Sequence, residues 1–364
     1  MLAVGLLTKV FPIDLVDDVV DRAGAREQRE RALPARLTVY FTLALWLFVS
    51  SGYERVMVCL TEGLAWVRRS LGDRQLPRAS SLARARDRLG PEALYLLFER
   101  VAGPVGTPET PGTFWRGRRL VSWAGASLDV PDTPANEYTW GRPDGPSSSH
   151  APPRVRLFAL AECGTHAVIG ATFGPCGMAE PELARRLLRH LGPDMVLLAD
   201  FRPIDQELWA HARQTGAELV WRIPSFALPV RRALPDGTYL ANLGSRRSHE
   251  DGPATVRVID YTVAGERPGP QSYSLATTLT DPEAAPRAEL AGLYRARWDL
   301  RTCIAVFATE LEGPPRVTLR STKPDGIAQE IWAFFCVQHA IRDFVTHSVH
   351  FGHPFQTRIS FDTP

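Results

Sequence analysis

The spacing of apolar residues divides the chain into a helical first third and a mixed remainder. Between residues 12 and 104, apolar side chains recur at helical spacing. The clearest cases are Leu15, Val19 and Val20, followed by the runs 37–49 and 56–67. We therefore predict a helical N-terminal domain over residues 1–104.

A segment rich in Gly, Pro and Thr follows, and it predicts a linker over residues 105–119. Beyond it, short apolar runs typical of strands surround one helical run. The predicted strands are residues 120–123, 157–162, 167–173 and 195–199, and the predicted helix is 181–191. Strands followed by a helix and a further strand indicate an α/β or α+β core.

The pattern then changes to repeated strand-and-turn units, which predict a β-rich insertion over about residues 216–280. Asp236-Gly237 is a hairpin signal within it. Helical spacing returns at residues 286 to about 311 and again at 326 to about 345. The second domain is accordingly predicted to span residues 120–364.

Composition places the chain among folded globular proteins, with 364 residues, 45% hydrophobic and 23% charged. The longest apolar run, 37–49, is shorter than the ~20 residues that cross a bilayer, so we expect no membrane contact and a cytoplasmic location. The five cysteines are scattered and contain no Cys-x-x-Cys pair, which argues against a disulfide framework and a zinc site.

Charge is distributed unevenly although its sum is only +2. Residues 1–120 carry 18 Lys and Arg against 13 Asp and Glu, so the first third is the basic part. Within it, Arg84, Arg86 and Arg88 lie in a predicted helix and are candidates for DNA phosphate contact. The alternative, a solvated helix face, is favoured by the pattern alone.

Several phrases of the sequence resemble the DDE transposases of the insertion-sequence-four family. They are LPARLTVYFTLALWLF (33–48), LDVPDTPAN (128–136), ECGTHAVIGATFGP (162–175), LPDGTYL (234–240), YRARWDL (294–300) and LRSTKPDGIAQEIWAF (319–334). The resemblance implies an RNase H-like mixed sheet with a β-rich insertion, preceded by an all-α N-terminal domain. It also implies DNA as partner, with a homodimer as a candidate assembly.

The most specific motif of that family is Y-x2-R-x3-E-x6-K. This sequence keeps Tyr294 and Arg297, with Trp298 in the expected place. Counting onward, the family's catalytic glutamate falls at Arg301 and its lysine at Ala308. A cation therefore stands where the family has a metal ligand.

The resemblance also assigns the other two carboxylates, which in the family hold Mg²⁺. Ala124 stands where the family has its first aspartate, and Asp200 keeps the second. With two of three ligands replaced, no metal cofactor is expected. We hypothesise that Arg301 pairs with Asp200 and fills the metal site. Neither Asp129 nor Asp299 has the strand or helix phase to replace a missing carboxylate.

Three functions remain open at this point. The first is a DNA-binding protein of transposase origin that has lost strand cleavage. The second is an enzyme of another class that reuses the cleft, with Asp200, Arg202, Tyr294, Arg297 and Arg301 as candidate groups. The third is an active transposase with an unusual ligand set.

Overall fold

The computed structural model describes most of the chain. The described residues are 2–29, 31–49, 51–71, 75–144, 151–200, 205–224, 228–244, 254–263, 271–295, 319–348 and 359–360.

The described part of the first hundred residues contains seven helices joined by turns and irregular segments, which confirms the helical N-terminal region. The helices are α1 (Leu2–Val10), α2 (Ile13–Arg22), α3 (Ala35–Leu47), α4 (Tyr53–Gly63), α5 (Ala65–Leu71), α6 (Ala79–Leu89) and α7 (Glu92–Val101). Pro12 and Pro34 immediately precede α2 and α3 in extended conformation, at positions where a missing N–H costs no helical hydrogen bond.

The second part contains one mixed sheet with helices around it. Its strands are β1 (Phe114–Trp115), β2 (Arg118–Asp129), β3 (Arg154–Glu162), β4 (Val168–Pro175), β5 (Met195–Asp200), β6 (Glu218–Ile223), β7 (Arg232–Ala233), β8 (Tyr239–Leu243), β9 (Ala254–Val263), β10 (Gln271–Thr277) and β11 (Ile359–Ser360). Its helices are α8 (Pro134–Trp140), α9 (Glu180–Leu187), α10 (Gln206–Gln214), α11 (described over 287–295) and α12 (Pro324–Ser348).

The strand order identifies the core of the sheet. The strands β4, β3 and β2 form an antiparallel meander, and β5 then pairs in parallel with β2 and β6 in parallel with β5. The neighbour order β4-β3-β2-β5-β6 is that of an RNase H-like sheet, with the first three strands antiparallel and the last two parallel to the first. The predicted fold class is confirmed.

The inserted strands extend this sheet instead of forming a separate one. Strand β10 pairs antiparallel with β6, and the order continues through β9 and β8 to β7. Asp236-Gly237 lies in the β7–β8 turn, where Gly237 has φ +80°, a conformation that favours glycine. The predicted insertion boundary near 216 falls before β6, although β6 pairs with the core strand β5.

Helices cover both faces of the sheet. Helices α9 and α10 pack on one face through a cluster containing Trp123, Trp209 and Trp221. On the other face, α12 and the N-terminal helices share a single hydrophobic cluster with β2, β3 and β4. Helix α11 covers the same face over β5 and β6. The N-terminal helices thus share one hydrophobic core with the sheet. The division into two domains at residue 104 stays a prediction.

Two expectations about helices can be compared with the described residues. Residues 287–295 are helical, as predicted, and the predicted continuation to about residue 311 lies outside the described residues. No helix within the described ranges is long and apolar enough to cross a membrane.

A buried ion pair connects the N-terminal helices to α12. Arg86 of α6 is 4% exposed, and its Nη2 lies 2.8 Å from Oε1 of Glu330 and 2.9 Å from the carbonyl oxygen of Gly326. The Nε2 of Gln329 returns a hydrogen bond of 2.6 Å to the carbonyl oxygen of Arg86. The backbone N–H of Arg320 donates to Glu330 at 2.6 Å, so both buried charges have polar partners.

Arg86→Ala should destabilise the protein strongly, because it leaves the Glu330 carboxylate buried without its cation. Removing one partner of a buried pair costs about 3–5 kcal/mol, measurable as a shift of the urea unfolding midpoint. The matched control is Lys323→Ala, which breaks a largely exposed pair with Asp87 (2.7 Å) and should change stability little. Equal effects of the two substitutions would contradict this role for Arg86.

Candidate functional site

The parallel pairing of β2 with β5 brings the two predicted carboxylate positions together. Ser122 lies opposite Leu198 in this pairing. The pairing of the two strands ends at these residues, and its continuation by two residues along each strand would bring Ala124 opposite Asp200. Neighbouring strands lie about 4.8 Å apart, so this extension predicts that the two positions are adjacent.

Both residues also face the same side of the sheet. Residues of a strand alternate between faces, and Trp123 and Ala199 point to the face covered by α9 and α10. Ala124 and Asp200 therefore point to the opposite face, beneath α11 and α12. A carboxylate at position 124 would stand beside that of Asp200, which is the arrangement that the family resemblance requires.

The described cation beside Asp200 is Arg222 of β6. The two residues are register partners across the parallel pairing, and Nη1 of Arg222 lies 3.8 Å from Oδ2 of Asp200. Both side chains are largely buried, with 17% and 7% exposure. A carboxylate so shielded from water needs a nearby cation or hydrogen-bond donors.

Aromatic rings hold this arginine from the other side. The guanidinium of Arg222 lies 4.4 Å from the ring centroid of Tyr273 on β10, a cation–π geometry. Tyr273 in turn stacks on Tyr261 of β9, with ring centroids 5.5 Å apart and an interplanar angle of 20°. Asp200, Arg222, Tyr273 and Tyr261 thus form one row across four adjacent strands, which we call the Asp200 row.

Sequence reasoning did not find Arg222. The hypothesis named Arg301 as the partner of Asp200, and Arg301 and Arg297 lie outside the described residues, so that pairing stays a prediction. A signal for Arg222 existed: Asp200 ends one parallel strand, and the adjacent strand ELVWRI carries its arginine close to its own end.

Tyr294 is fully buried on α11 beneath this row. It belongs to the cluster that packs α11 on the sheet, together with Leu198 and Val220. This placement favours helix packing as its role, as the sequence suggested. Of the predicted catalytic positions, the described structure therefore brings Ala124, Asp200 and Tyr294 to one face of the sheet.

Comparison with known proteins supports the resemblance to transposases. Residues 1–99 match the family model described as insertion element 4 transposase N-terminal. The chain is 26% identical over 338 residues to the transposase InsG for insertion sequence element IS4 of Escherichia coli strain K12, spanning 90% of this chain and 74% of that protein. The chain is therefore similar to insertion-sequence-four transposases over most of its length.

Two further similarities extend the comparison. The putative transposase InsZ of Escherichia coli strain K12 is 27% identical over 148 residues, which are 40% of this chain and 50% of InsZ. The cryo-EM structure of a piggyBac transposase synaptic complex with hairpin DNA aligns with 95% of this chain and 74% of that one, at 11% identity and a TM-score of 0.46.

The described residues of the cleft do not fit the pair of divalent metals that the transposase family implies. That pair needs carboxylates at three positions. Of the two positions that lie within the described residues, one holds Asp200 and the other Ala124, and Arg222 lies at ion-pair distance from Asp200. Asp129 pairs instead with Arg154 at 2.7 Å. Within the described ranges, no group of three or more His, Cys, Asp or Glu side chains could hold a metal.

The three predicted DNA-contacting arginines separate into two kinds. Arg84 and Arg88 are exposed, whereas Arg86 is buried in the ion pair with Glu330 and is not accessible to DNA in this structure. The predicted role of Arg86 therefore has to be corrected. Leu82 and Leu89 would have indicated its burial, because residues 82, 86 and 89 share one helical face.

The start of α6 is also occupied by a protein group. The backbone N–H of Ala79, in the first turn, donates to Oε1 of Glu54 at 2.8 Å. This carboxylate takes the place at the helix N-terminus that a DNA phosphate was expected to use. Phosphate contact by Arg84 and Arg88 stays a prediction that rests on their exposed side chains.

Ala124→Asp tests the placement of position 124 beside Asp200. We expect the pKa of the introduced carboxyl to lie above its usual value of about 3.9, because it is buried next to another carboxylate. The folded variant then binds more protons than the unfolded one, so its stability falls as pH rises. One to two pKa units correspond to about 1.4–2.7 kcal/mol at pH 7, and the urea unfolding difference from wild type should be smaller at pH 5.

Ala126→Asp is the matched control. It lies two residues further along the same face of β2, away from Asp200, and it is partly buried whereas Ala124 is buried. The two variants should differ in pH dependence. Identical pH profiles for both variants would show that position 124 is not beside Asp200.

Proposed function

We propose that this chain is a member of the insertion-sequence-four transposase family that binds DNA and does not cleave it. The observation that carries the proposal is the pairing of β2 with β5 up to Ser122 and Leu198, whose continuation by two residues would place Ala124 opposite Asp200. At the position where metal-dependent cleavage needs a second carboxylate, the chain has a methyl group. At the position where the family has its third carboxylate ligand, the sequence has Arg301.

Electrostatics support the loss of the metal pair. In two-metal catalysis, one ion activates the attacking oxygen and the other stabilises the leaving oxygen, and both are held by carboxylates. The guanidinium of Arg222 already lies 3.8 Å from Asp200. A divalent cation at the same carboxylate would be repelled by this arginine.

The distribution of arginines supports DNA binding by the N-terminal helices. Arginines of β2, β3, α8–β3 and α9 form ion pairs, for example Arg118 with Glu218 and Arg154 with Asp129. In the first hundred residues, several exposed arginines make no ion pair with a described carboxylate. They are Arg29, Arg31, Arg55, Arg68, Arg69, Arg78, Arg84 and Arg88. Cations that make no ion pair with a described carboxylate are available to release counterions from DNA.

Strand cleavage can be tested on DNA that flanks the gene in its source genome. We expect no nicking by the wild type with Mg²⁺ or Mn²⁺. The double variant Ala124→Asp/Arg301→Glu restores all three family carboxylates, and we expect it to bind Mn²⁺ in calorimetry where the wild type does not. The matched control adds Asp200→Ala to the double variant and should abolish that binding.

Two results would overturn the loss of cleavage. Metal-dependent nicking by the wild type that disappears in Asp200→Ala would establish an active transposase with an unusual ligand set. Absence of Mn²⁺ binding by the double variant would mean that the three positions do not form one metal site, and the argument from Ala124 would fail.

DNA binding is measured separately by affinity selection. Fragmented genomic DNA from the source organism is incubated with the full-length protein at two salt concentrations. We expect discrete fragments to be enriched at both concentrations, with weaker recovery at the higher one, because phosphate contacts are salt-dependent. Enrichment that vanishes entirely at the higher salt would limit the protein to non-specific contact.

A second candidate function is an enzyme of another class that uses the former cleft. The Asp200 row favours it, because an acid, a guanidinium and a phenol ring are held together beneath α11. The same selection discriminates the two candidates. Recovery of no DNA at either salt concentration would favour the reused cleft.

A further inference from the structure

A groove with a basic lining lies in the N-terminal helical region, between the segment that follows α2 and the last turn of α6. It encloses about 220 Å³. Its lining is Gly24, Ala25, Arg26, Glu27, Arg31, Ala35, Ala85, Arg88 and Leu89. We call it the arginine groove.

The backbone fixes the loop side of this groove. Helix α2 ends at Arg22, and Gly24 follows with φ +64°, a conformation that favours glycine. The N–H groups of Gly24 and Ala25 donate to the carbonyl oxygens of Asp21 and Val20, both at 3.0 Å. The groove is therefore shaped by helix-end hydrogen bonds and not by side chains alone.

The lining carries three arginines against one glutamate. Arg26 is held in a two-point ion pair by the carboxylate of Asp21, with one N–O distance of 2.7 Å. Arg31 and Arg88 are exposed, and no described carboxylate lies within ion-pair distance of either one. Arg88 makes one hydrogen bond of 3.1 Å to the carbonyl oxygen of Arg84, which leaves the rest of its donors available.

This arrangement suits one phosphate group. A guanidinium presents paired donors that match phosphate oxygens, and two such groups from different elements can approach one anion from two sides. The lining offers no stacking face, because its non-polar members are alanine and leucine. Backbone phosphate contact, which is independent of base sequence, is the interaction that these side chains fit.

We propose that the arginine groove binds a phosphate of the DNA backbone, with Arg31 and Arg88 as the donors. The inference rests on the proposed DNA binding and adds a location to it. It also replaces the set expected from sequence: Arg31, from a different element, takes the place of the buried Arg86. Arg26, fixed by Asp21, contributes positive potential at the rim of the groove.

The test is the salt dependence of DNA binding by the full-length protein. Dissociation constants for a fluorescent 30-base-pair duplex are measured between 50 and 200 mM NaCl. Arg31→Ala/Arg88→Ala should weaken binding roughly tenfold at 50 mM. It should also reduce the slope of log K against log salt by about 1, which is the effect of one lost phosphate contact.

Two further variants control for charge and geometry. Arg186→Ala/Arg189→Ala removes the same charge from exposed arginines on and just after α9, which pair with Glu182 and Glu99, and should leave the slope unchanged. Arg31→Lys/Arg88→Lys keeps the charge but loses the paired donors, so it should restore the slope with weaker affinity than wild type.

The outcomes separate this inference from the proposed function. If the wild type binds DNA and the Arg31/Arg88 alanine variant matches the α9 control, the groove proposal is overturned while DNA binding stands. A wild type that binds no duplex at 50 mM NaCl overturns both. The last measurement uses inorganic phosphate at constant ionic strength. If phosphate raises the Tm of the wild type but not of the alanine variant, while the two proteins have equal salt slopes for DNA, the groove binds free phosphate and its proposed role in DNA binding is overturned.

Discussion

The parallel pairing of β2 with β5 is the constraint on which the cleft depends. Its register, continued to the ends of the strands, determines how residues 124 and 200 align on neighbouring strands. The alternation of side chains then puts both on the face beneath α11 and α12. A shift of one residue would turn Asp200 toward the tryptophan cluster on the other face. The buried residues of the strand MVLLAD maintain that register, because alternate side chains of the strand must pack into the cores on opposite faces of the sheet.

A carboxylate at such a position must be compensated when no metal is bound there. Burial of Asp200 without a partner would cost several kcal/mol, and Arg222 on the next strand lies within ion-pair distance of it. Stacking on Tyr273 limits the rotamers of that arginine and so reduces the entropy lost in the contact. The Asp200 row is therefore a self-consistent polar arrangement within an otherwise hydrophobic face.

Local patterns predicted the fold well because they report on local constraints. Short apolar runs marked the strands, Asp236-Gly237 marked a hairpin, and helical spacing marked α6 and α12. Contacts between distant elements were harder to predict. The sequence of residues 77–89 does not indicate that Arg86 pairs with Glu330, which lies more than two hundred positions later. The apolar face shared by Leu82 and Leu89 carried that information, but grouping the arginines by charge alone concealed it. Arg222 was missed for the same reason, since register between β5 and β6 sets its contact.

The position at which the resemblance implies the first metal-binding aspartate and the arginine groove proposed to contact DNA lie on separate parts of this molecule, so a change at one need not disturb the other. Ala124 is 5% exposed and belongs to the hydrophobic cluster shared with the helices, so an alanine there removes a charge that would otherwise need a metal or a cation. The arginine groove draws on the segment after α2 and on α6, and none of its lining residues contributes to the Asp200 row. Replacement of a metal ligand therefore relieves desolvation and charge repulsion at the sheet while the basic surface keeps its geometry. On this physical argument, a transposase that has stopped cutting can remain a stable DNA-binding protein.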